Sequence, residues 1–260
     1  MIVELIADSF LYVTCTCIGF FFAVCIYCLA VEAQRSFFFQ PVKGKLYASP
    51  QSTCSMRSIM ALVETKADFS FHLVDLAKKH QKEPWYLQIQ PYGKVPVWEE
   101  GSGGAKFRMF ESRAILKHVT AGSLLYPLDD RRFVATIEMW ISIEYSYFQP
   151  SWVPIFQEKI LKKRANPKYV ANEKLCQEKA EELCRILDQM ETRLQKAKYI
   201  AGTRFSIADI TYLPYFALFE QAGLKETLAA RPNLQEWVTC CLSRKSWEYV
   251  SKHKVLERSE

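Results

Sequence analysis

Two helix starts in this sequence carry polar and charged side chains that could bind the charged groups of a ligand. Ser52 precedes a stretch with helical spacing over 53–64, and Arg57 follows it by five residues. Glu111 and Ser112 open a second helix directly after a predicted strand. The free N–H groups of a helix start and a neighbouring hydroxyl suit a carboxylate or a thiolate, and a glutamate suits an ammonium group.

Both pairs also have an ordinary structural explanation. Ser52, or Thr53 beside it, can be the N-cap of the helix that follows, because a hydroxyl oxygen there accepts a hydrogen bond from the first turn. Glu111 also fits the acidic first turn that many helices have. The spacing alone leaves the binding and capping interpretations open.

Other residue types give little support for metal, phosphate or redox chemistry. His72 and His118 are isolated, so no metal site is predicted, and the glycine-rich turn at 101–104 matches no phosphate-binding loop. The nine cysteines show neither regular disulfide spacing nor the paired CxxC of a zinc site, which favours a reducing compartment. Cys54 is expected to point along its helix into the core.

The composition indicates a packed globular protein without a nucleic-acid partner. The chain has 260 residues, enough for one large domain or two small ones. Apolar residues make up 50% of it and charged residues 24%, which excludes a disordered or collagen-like chain. The net charge is only +6, and lysines and arginines form no long run, so nucleic-acid binding is not expected.

An uncharged apolar stretch at 9–31 predicts a membrane anchor within an N-terminal segment 1–44. As a helix rising about 1.5 Å per residue, this stretch would be roughly 34 Å long, enough for a hydrocarbon core of about 30 Å. A cleaved signal peptide and a long buried helix are the alternatives. The signal peptide is disfavoured because the residues before the stretch include the acids Glu4 and Asp8 and no basic residue.

The flanking charges set the predicted orientation. Basic residues follow the stretch at Arg35, Lys43 and Lys45, and only acids precede it. The positive-inside rule then places the remainder of the chain in the cytosol. We therefore predict a single-pass protein of the endoplasmic reticulum or of the mitochondrial outer membrane, with its larger part facing the cytosol.

The chain from residue 45 predicts a small α/β unit followed by helices only. The α/β unit has the order β-α-β-α-β-β-α, with a strand at 45–48, a helix at 53–64, a strand at 69–76, a helix at 79–90, strands at 94–98 and 105–109, and a helix at 111–118. The later helices are predicted at 133–147, 172–198, 206–221 and 234–250. Pro214 lies inside the third of these and is expected to bend it.

Residues 45 to about 222 resemble cytosolic glutathione transferases, and the phi-like group most of all. The motifs that carry the resemblance are KLYASPQSTCSMRS at 45–58, VDL at 74–76, QPYGKVPV at 90–97, MFESRAILKHV at 109–119 and KYIAGTRFSIADITYLPYF at 198–216. The resemblance implies a thioredoxin-like, glutathione-binding domain at 45–120 and an all-helical domain at 130–255, preceded here by one transmembrane helix.

The resemblance implies that the Ser52 hydroxyl donates a hydrogen bond to the sulfur of glutathione. A free thiol has a pKa near 8.5, so only about 3% of it is thiolate at pH 7. A hydroxyl donor and the positive end of a helix that lower this pKa by about two units would make roughly three quarters of it thiolate. Ser52 is a donor in this scheme and not a nucleophile.

The other roles that the resemblance implies concern the rest of glutathione. Val95 binds the cysteinyl part through its backbone, next to a cis bond to Pro96, and Glu111 and Ser112 bind the γ-glutamyl end. Lys82 holds the glycine carboxylate, although Gln81 stands where the family has a histidine. Glutathione is a cosubstrate, no other cofactor is implied, and a small hydrophobic electrophile is the second substrate. A homodimer is also expected from the resemblance.

An aromatic group lies near the position of the family's electrophile pocket, and most of it is expected to be core. Its members are Trp140, Tyr145, Tyr147, Phe148 and Trp152. The motif around Ser206 and Asp209 is expected to cap a helix rather than to act in catalysis.

We therefore predict a glutathione transferase. One alternative is a non-catalytic adaptor with this fold, for protein–protein interaction at a membrane. The presence of Ser52 together with Glu111 and Ser112 disfavours it, because an adaptor has no need of both. The other alternative is a glutathione-dependent thiol reductase, which is disfavoured because such enzymes generally need a cysteine at the position of Ser52.

Overall fold

The computed structural model describes residues 39–256 of the chain. The elements below all belong to one compact unit that begins at Pro41. The predicted anchor at 9–31 lies outside the described residues. Within the described range, no helix combines the length and the apolar composition needed to cross a bilayer.

A four-stranded sheet forms the first half of the fold. The strands are β1 (Lys43–Ala48), β2 (Asp68–Leu73), β3 (Val97–Glu100) and β4 (Phe107–Phe110), in the spatial order β2-β1-β3-β4. β1 is parallel to β2, while β3 is antiparallel to both β1 and β4. The parallel pair requires a crossover helix, and β3 and β4 form the predicted hairpin.

Helices cover both faces of this sheet. On one face lie α1 (Thr53–Glu64) and α3 (Ser112–Thr120), whose buried residues join Leu46 and Trp98 of the sheet in the main core. On the other face the short α2 (Pro84–Leu87) contributes Tyr86 to a small cluster with Val74 and Val97. The order β-α-β-α-β-β-α is as predicted, and it makes this a thioredoxin-like domain.

The second half of the described chain is all-helical, as predicted. Its helices are α4 (Arg131–Ile143), α5 (Gln149–Phe156), α6 (Lys162–Ala165), α7 (Glu173–Leu194), α8 (Ile207–Phe216), α9 (Lys225–Ala229), α10 (Pro232–Leu242) and α11 (Lys245–Leu256). α8 is almost wholly buried at the centre of this domain, and the two halves share one hydrophobic core.

Two π-helical turns join α4, α5 and α6 into one continuous helical path. They span Glu144–Phe148 and Gln157–Leu161. Pro150 and Pro154 lie between them and have no N–H to donate to the preceding turn, so a regular α-helix would leave carbonyls there without partners. The sequence predicted a helix only at 133–147 and missed α5 and α6, because prolines are unfavourable inside helices.

The α8 start contains the predicted capping box. The Ser206 N–H donates to Asp209 Oδ2 at 2.9 Å, and the Ser206 hydroxyl donates to the same oxygen at 3.0 Å. Asp209 also accepts from the Ile200 N–H at 2.9 Å and from Trp237 Nε1 at 2.8 Å. Pro214 lies within α8, as predicted, but the helix ends at Phe216 rather than at residue 221.

The last predicted helix, 234–250, is two helices. α10 ends at Leu242 and α11 begins at Lys245, so the break falls at residues 243 and 244. Arg244 at this break pairs with Glu64 at the end of α1. The chain therefore turns where it contacts the thioredoxin-like domain. The spacing of apolar residues along the sequence does not show such a long-range contact.

Candidate active site

Strand pairing brings three loops to one end of the sheet. Tyr47 of β1 pairs with Val97 of β3, and Val97 pairs with Phe110 of β4. The chain after β1, the chain before β3 and the chain after β4 therefore leave the sheet side by side. The predicted site residues on these loops are Ser52, Val95, Pro96, Glu111 and Ser112.

Ser52 occupies the N-cap position of α1, but its side chain does not act as a cap. Its backbone is extended, with φ −87° and ψ 125°, and its carbonyl accepts from the Met56 N–H at 2.9 Å. Within the described residues the hydroxyl makes no capping hydrogen bond. Ser52 therefore presents a half-buried hydroxyl beside the N-terminal N–H groups of a helix of 12 residues. Such a position suits an anion.

The loop before β3 contains the cis peptide bond that the resemblance implied. The bond between Val95 and Pro96 is cis. The preceding residue, Lys94, is fixed by its carbonyl, which accepts a hydrogen bond from the Tyr86 hydroxyl at 2.7 Å. The loop that contains Val95 thus lies at the same end of the sheet as Ser52.

Glu111 has a strained backbone. Its φ is 72° and its ψ is 108°, a conformation that a residue with a side chain rarely adopts. It links the end of β4 directly to the start of α3, and its side chain is exposed. Strain of this kind persists where the surrounding structure holds it, and it is concentrated at binding and catalytic sites.

Ser112, the first residue of α3, is buried and contacts a buried arginine. Arg57 of α1 is fully buried, and its Nη1 donates to Ser112 Oγ at 3.4 Å. Its Nη2 donates to the Tyr215 hydroxyl at 2.6 Å, and the Tyr215 hydroxyl donates to Glu144 Oε1 at 2.7 Å. Burial raises the pKa of Tyr215, so its hydroxyl keeps the proton that it donates.

A second arginine completes this buried cluster. Arg113 Nε and Nη2 donate to the two carboxylate oxygens of Glu144, each at 2.7 Å, and Nη2 also donates to Gln149 Oε1 at 3.2 Å. The Arg113 guanidinium lies 4.8 Å from the centroid of the Tyr145 ring. Glu144 is itself fully buried and begins the first π turn. One carboxylate thus faces two guanidinium groups.

The sequence did not reveal this cluster. Arg57 was noted only for its distance from Ser52, and Glu144 and Tyr215 were not singled out at all. The sequence did contain one signal for it, a charged residue inside each of two apolar helical stretches. Such a residue is expected to be buried, and a buried charge needs a partner. Which partners they find depends on contacts between residues up to 158 positions apart.

Lys82 and Gln81 lie against the loop that leads to Val95. Lys82 Nζ donates to the Tyr92 carbonyl at 3.2 Å. Gly93 has a φ of 56°, and an added Cβ would lie 2.6 Å from the Gln81 carbonyl oxygen and 2.7 Å from Lys82 Nζ, so only glycine fits. Gln81 Oε1 is buried without a hydrogen-bond partner among the described residues.

The aromatic group divides into core and surface. Trp140, Phe148 and Trp152 are buried, whereas Tyr145 and Tyr147 are both 61% exposed. A groove of about 880 Å³ lies between the α4–α5 path and α7. Trp140 and Tyr147 line it, but none of the predicted glutathione-binding residues does. The groove belongs to the helical domain and is separate from the three loops.

The fold places this protein in the class that joins a thioredoxin-like domain to an all-helical domain. The glutathione S-transferase N-terminal domain family matches residues 42–121, and the C-terminal domain family matches residues 145–245. The chain therefore belongs to the glutathione S-transferase family, a family of enzymes. This confirms the family, the fold of the two domains and the enzyme class that the sequence motifs predicted.

Individual relatives agree with this membership. Glutathione S-transferase PARB from Nicotiana tabacum is 31% identical over 208 residues, which cover 78% of this chain and 94% of that protein. The crystal structure of glutathione transferase F7 from Populus trichocarpa is 30% identical, with a TM-score of 0.72, and covers 81% of this chain and 98% of that one. These plant relatives agree with the phi-like group that the motifs indicated.

Glutathione S-transferase I from maize is similar in structure as well. Its structure is 26% identical to this chain, with a TM-score of 0.73, and covers 81% of this chain and 97% of that one. That protein was solved in complex with a glutathione conjugate of atrazine.

The predicted localisation was wrong. These relatives are matched over 94% or more of their own length by the transferase domains of this chain, so the alignments give no support for a single-pass membrane protein. The described residues contain no helix able to cross a bilayer. The prediction rested on the length and the lack of charge of one stretch. A membrane span requires both properties, but the two together do not establish a membrane span.

Proposed function

We propose that this enzyme conjugates the thiolate of glutathione to hydrophobic electrophiles, with the Ser52 hydroxyl donating a hydrogen bond to the sulfur. The observation that carries this proposal is the Ser52 side chain, which lies at the start of α1 and makes no capping hydrogen bond with any described residue. Its hydroxyl is therefore available to a ligand. The neighbouring loops supply groups that suit the rest of the tripeptide.

The energetics of this arrangement are adequate for the chemistry. Lowering the thiol pKa by about two units corresponds to about 2.7 kcal/mol of preference for the thiolate. A hydrogen bond to a charged group contributes about 1.5–3 kcal/mol, and a helix N-terminus adds about 0.3–1 kcal/mol. The hydroxyl and the N-terminus of α1 together therefore supply a shift of the required size.

The two ends of glutathione bind on either side of Ser52 in this proposal. At one end, Ser112 and the first N–H groups of α3 bind the γ-glutamyl carboxylate, and Glu111 binds the ammonium group. At the other end, Lys82 binds the glycine carboxylate, and the side-chain amide of Gln81 has N–H donors that could assist it. The Val95 backbone, beside Pro96, binds the cysteinyl part.

The reaction requires glutathione as cosubstrate and no further cofactor. The sulfur attacks an electrophile that is held against the helical domain, and most of the rate gain comes from proximity and from the larger thiolate fraction. We assign glutathione binding to residues 45–120 and the helical domain to 130–255. A homodimer is the assembly that we expect.

A protein that conjugates electrophiles can be separated from an adaptor or a thiol reductase by two measurements on the full chain. The first is retention on glutathione-agarose. The second is conjugation of 1-chloro-2,4-dinitrobenzene by the wild type, by Ser52→Ala and by the matched control Thr53→Ala. We expect all three to be retained, Thr53→Ala to keep its turnover, and Ser52→Ala to lose up to roughly 25-fold at pH 7, the ratio of the two thiolate fractions if the whole pKa shift is lost.

Other results would favour the alternatives. No retention of the wild type would indicate an adaptor, and turnover with a disulfide but not with the electrophile would indicate a reductase. Equal losses of turnover in Ser52→Ala and Thr53→Ala would show that Ser52 only stabilises the start of the helix and does not contact the sulfur.

A further inference from the structure

The buried cluster beneath Ser112 crosses from one domain to the other. We propose that Tyr215, in the helical domain, is a positioning residue for the γ-glutamyl end of glutathione and acts through Arg57 on Ser112. This inference rests on the proposed function. It adds a residue that lies outside the thioredoxin-like domain and that contributes without touching the ligand.

The direction of the hydrogen bonds sets the state of the Ser112 hydroxyl. An arginine guanidinium carries donors only, so Arg57 Nη1 can only donate to Ser112 Oγ. A serine hydroxyl has one proton to donate. Because Ser112 accepts from Arg57, its own O–H stays free to donate to a carboxylate. A ligand at the start of α3 thus meets a hydroxyl already oriented as a donor.

Tyr215 provides the shortest contact that orients Arg57. The distance from Arg57 Nη2 to the Tyr215 hydroxyl oxygen is 2.6 Å, against 3.4 Å from Nη1 to Ser112 Oγ and 3.6 Å from Nη2 to Glu144 Oε1. Arg57 Nε has no hydrogen-bond partner among the described residues. The guanidinium also lies 5.1 Å from the centroid of the Tyr215 ring. Tyr215 therefore fixes both the position and the rotation of the guanidinium group.

Glu144 fixes the direction of the whole chain of hydrogen bonds. As a carboxylate it can only accept, so the Tyr215 O–H must donate to it and the Tyr215 oxygen must accept from Arg57. The fully buried Glu144 also balances only one of the charges of Arg57 and Arg113. The cluster keeps one positive charge in excess, which an anionic ligand group at Ser112 would compensate.

Tyr212 supplies a matched control on the same helix. Its ring is also fully buried, and its hydroxyl donates to the Trp140 carbonyl at 2.7 Å. Tyr212→Phe deletes one buried hydrogen bond, whereas Tyr215→Phe deletes two, the bond from Arg57 and the bond to Glu144, so Tyr215→Phe should be the less stable variant and the two are compared by their KM values. Of these two tyrosines, only Tyr215 hydrogen-bonds to Arg57 among the described residues.

The test is steady-state kinetics with glutathione and 1-chloro-2,4-dinitrobenzene on the full chain. We expect Tyr215→Phe to raise the KM for glutathione about 5- to 20-fold and to change kcat less than about twofold, because ligand positioning is lost and the thiolate donor Ser52 is retained. Tyr212→Phe should keep the wild-type KM for glutathione. In a Ser112→Ala background, Tyr215→Phe should have no further effect on that KM.

The contrary outcomes separate this inference from the proposed function. If Tyr215→Phe and Tyr212→Phe raise the KM equally, or if Tyr215→Phe still raises it in Ser112→Ala, then Tyr215 acts through general stability and the inference is wrong. An active wild type whose KM does not change in Tyr215→Phe also overturns the inference alone. A wild type without glutathione-dependent turnover would overturn the proposed function, and the inference with it.

Discussion

Glu64, the last residue of α1, is held by Arg244 through two hydrogen bonds of 2.7 Å each. The Ser246 hydroxyl donates to the same carboxylate at 2.6 Å, and the Arg244 guanidinium lies 3.9 Å from the centroid of the Phe205 ring. The helix that begins at Ser52 is thus fixed at its far end by the C-terminal part of the helical domain.

We expect Glu64→Gln to destabilise the protein by about 1–3 kcal/mol, because Arg244 would lose a charged partner in a partly buried site. Thermal unfolding measures this change. The control is Glu248→Gln, which removes an exposed pair with Lys252 and should change the free energy of unfolding by less than about 1 kcal/mol. Equal effects of the two substitutions would contradict the structural role of the Glu64 contacts.

Substitutions of Glu111 should separate the stability of the fold from the affinity for glutathione. Glycine has no Cβ and tolerates the observed φ of 72°, so Glu111→Gly relieves strain that Glu111→Ala retains. We expect the glycine variant to be about 1 kcal/mol more stable than the alanine variant. Both should bind glutathione more weakly than the wild type, because both lose the carboxylate proposed to meet the ammonium group.

Thermal unfolding and isothermal titration with glutathione separate the two effects. An alanine variant as stable as the glycine variant would show that the backbone at this position is not strained. Unchanged affinity in both variants would remove Glu111 from the binding site.

The sequence predicted the elements that local spacing defines, and missed what depends on distant contacts. The periodic apolar residues of α1 predicted 53–64, and the helix is Thr53–Glu64. The cis bond before Pro96 was implied by a local motif. By contrast, nothing near Glu144 indicates that it meets Arg57, Arg113 and Tyr215, because those contacts exist only after the two domains pack together. The helix α5 was missed for a related reason, since the burial of Trp152 and Ile155 outweighs its unfavourable prolines.

Glu158 should contribute to the acid sensitivity of the helical domain. A hydrogen bond from the Asn172 N–H at 2.9 Å, together with contacts from Lys162 and Tyr169, lowers the pKa of Glu158 to about 2 from its usual 4.5. Because the folded-state pKa is the lower one, Glu158 stabilises the fold above about pH 4.5, and this stabilisation is lost as the pH falls towards 2.

Thermal unfolding between pH 7 and pH 3 tests this contribution. Glu158→Gln should be less stable than the wild type at pH 7, and the difference should shrink steadily below pH 4.5. The control Glu220→Gln, at an exposed pair with Lys225, should follow the wild type at every pH. A Glu158→Gln difference that stays constant with pH would show that the carboxylate charge is not what stabilises this region.

The ionisation of enzyme-bound glutathione is the most direct test of the role of Ser52. Thiolate absorbance near 240 nm can be titrated with pH in the wild type and in Ser52→Ala, each saturated with glutathione. We expect an apparent thiol pKa of about 6.5 in the wild type and a value close to the free thiol, about 8.5, in Ser52→Ala. The same pKa in both proteins, with glutathione shown to be bound, would contradict the assignment of the Ser52 hydroxyl as the donor to the sulfur.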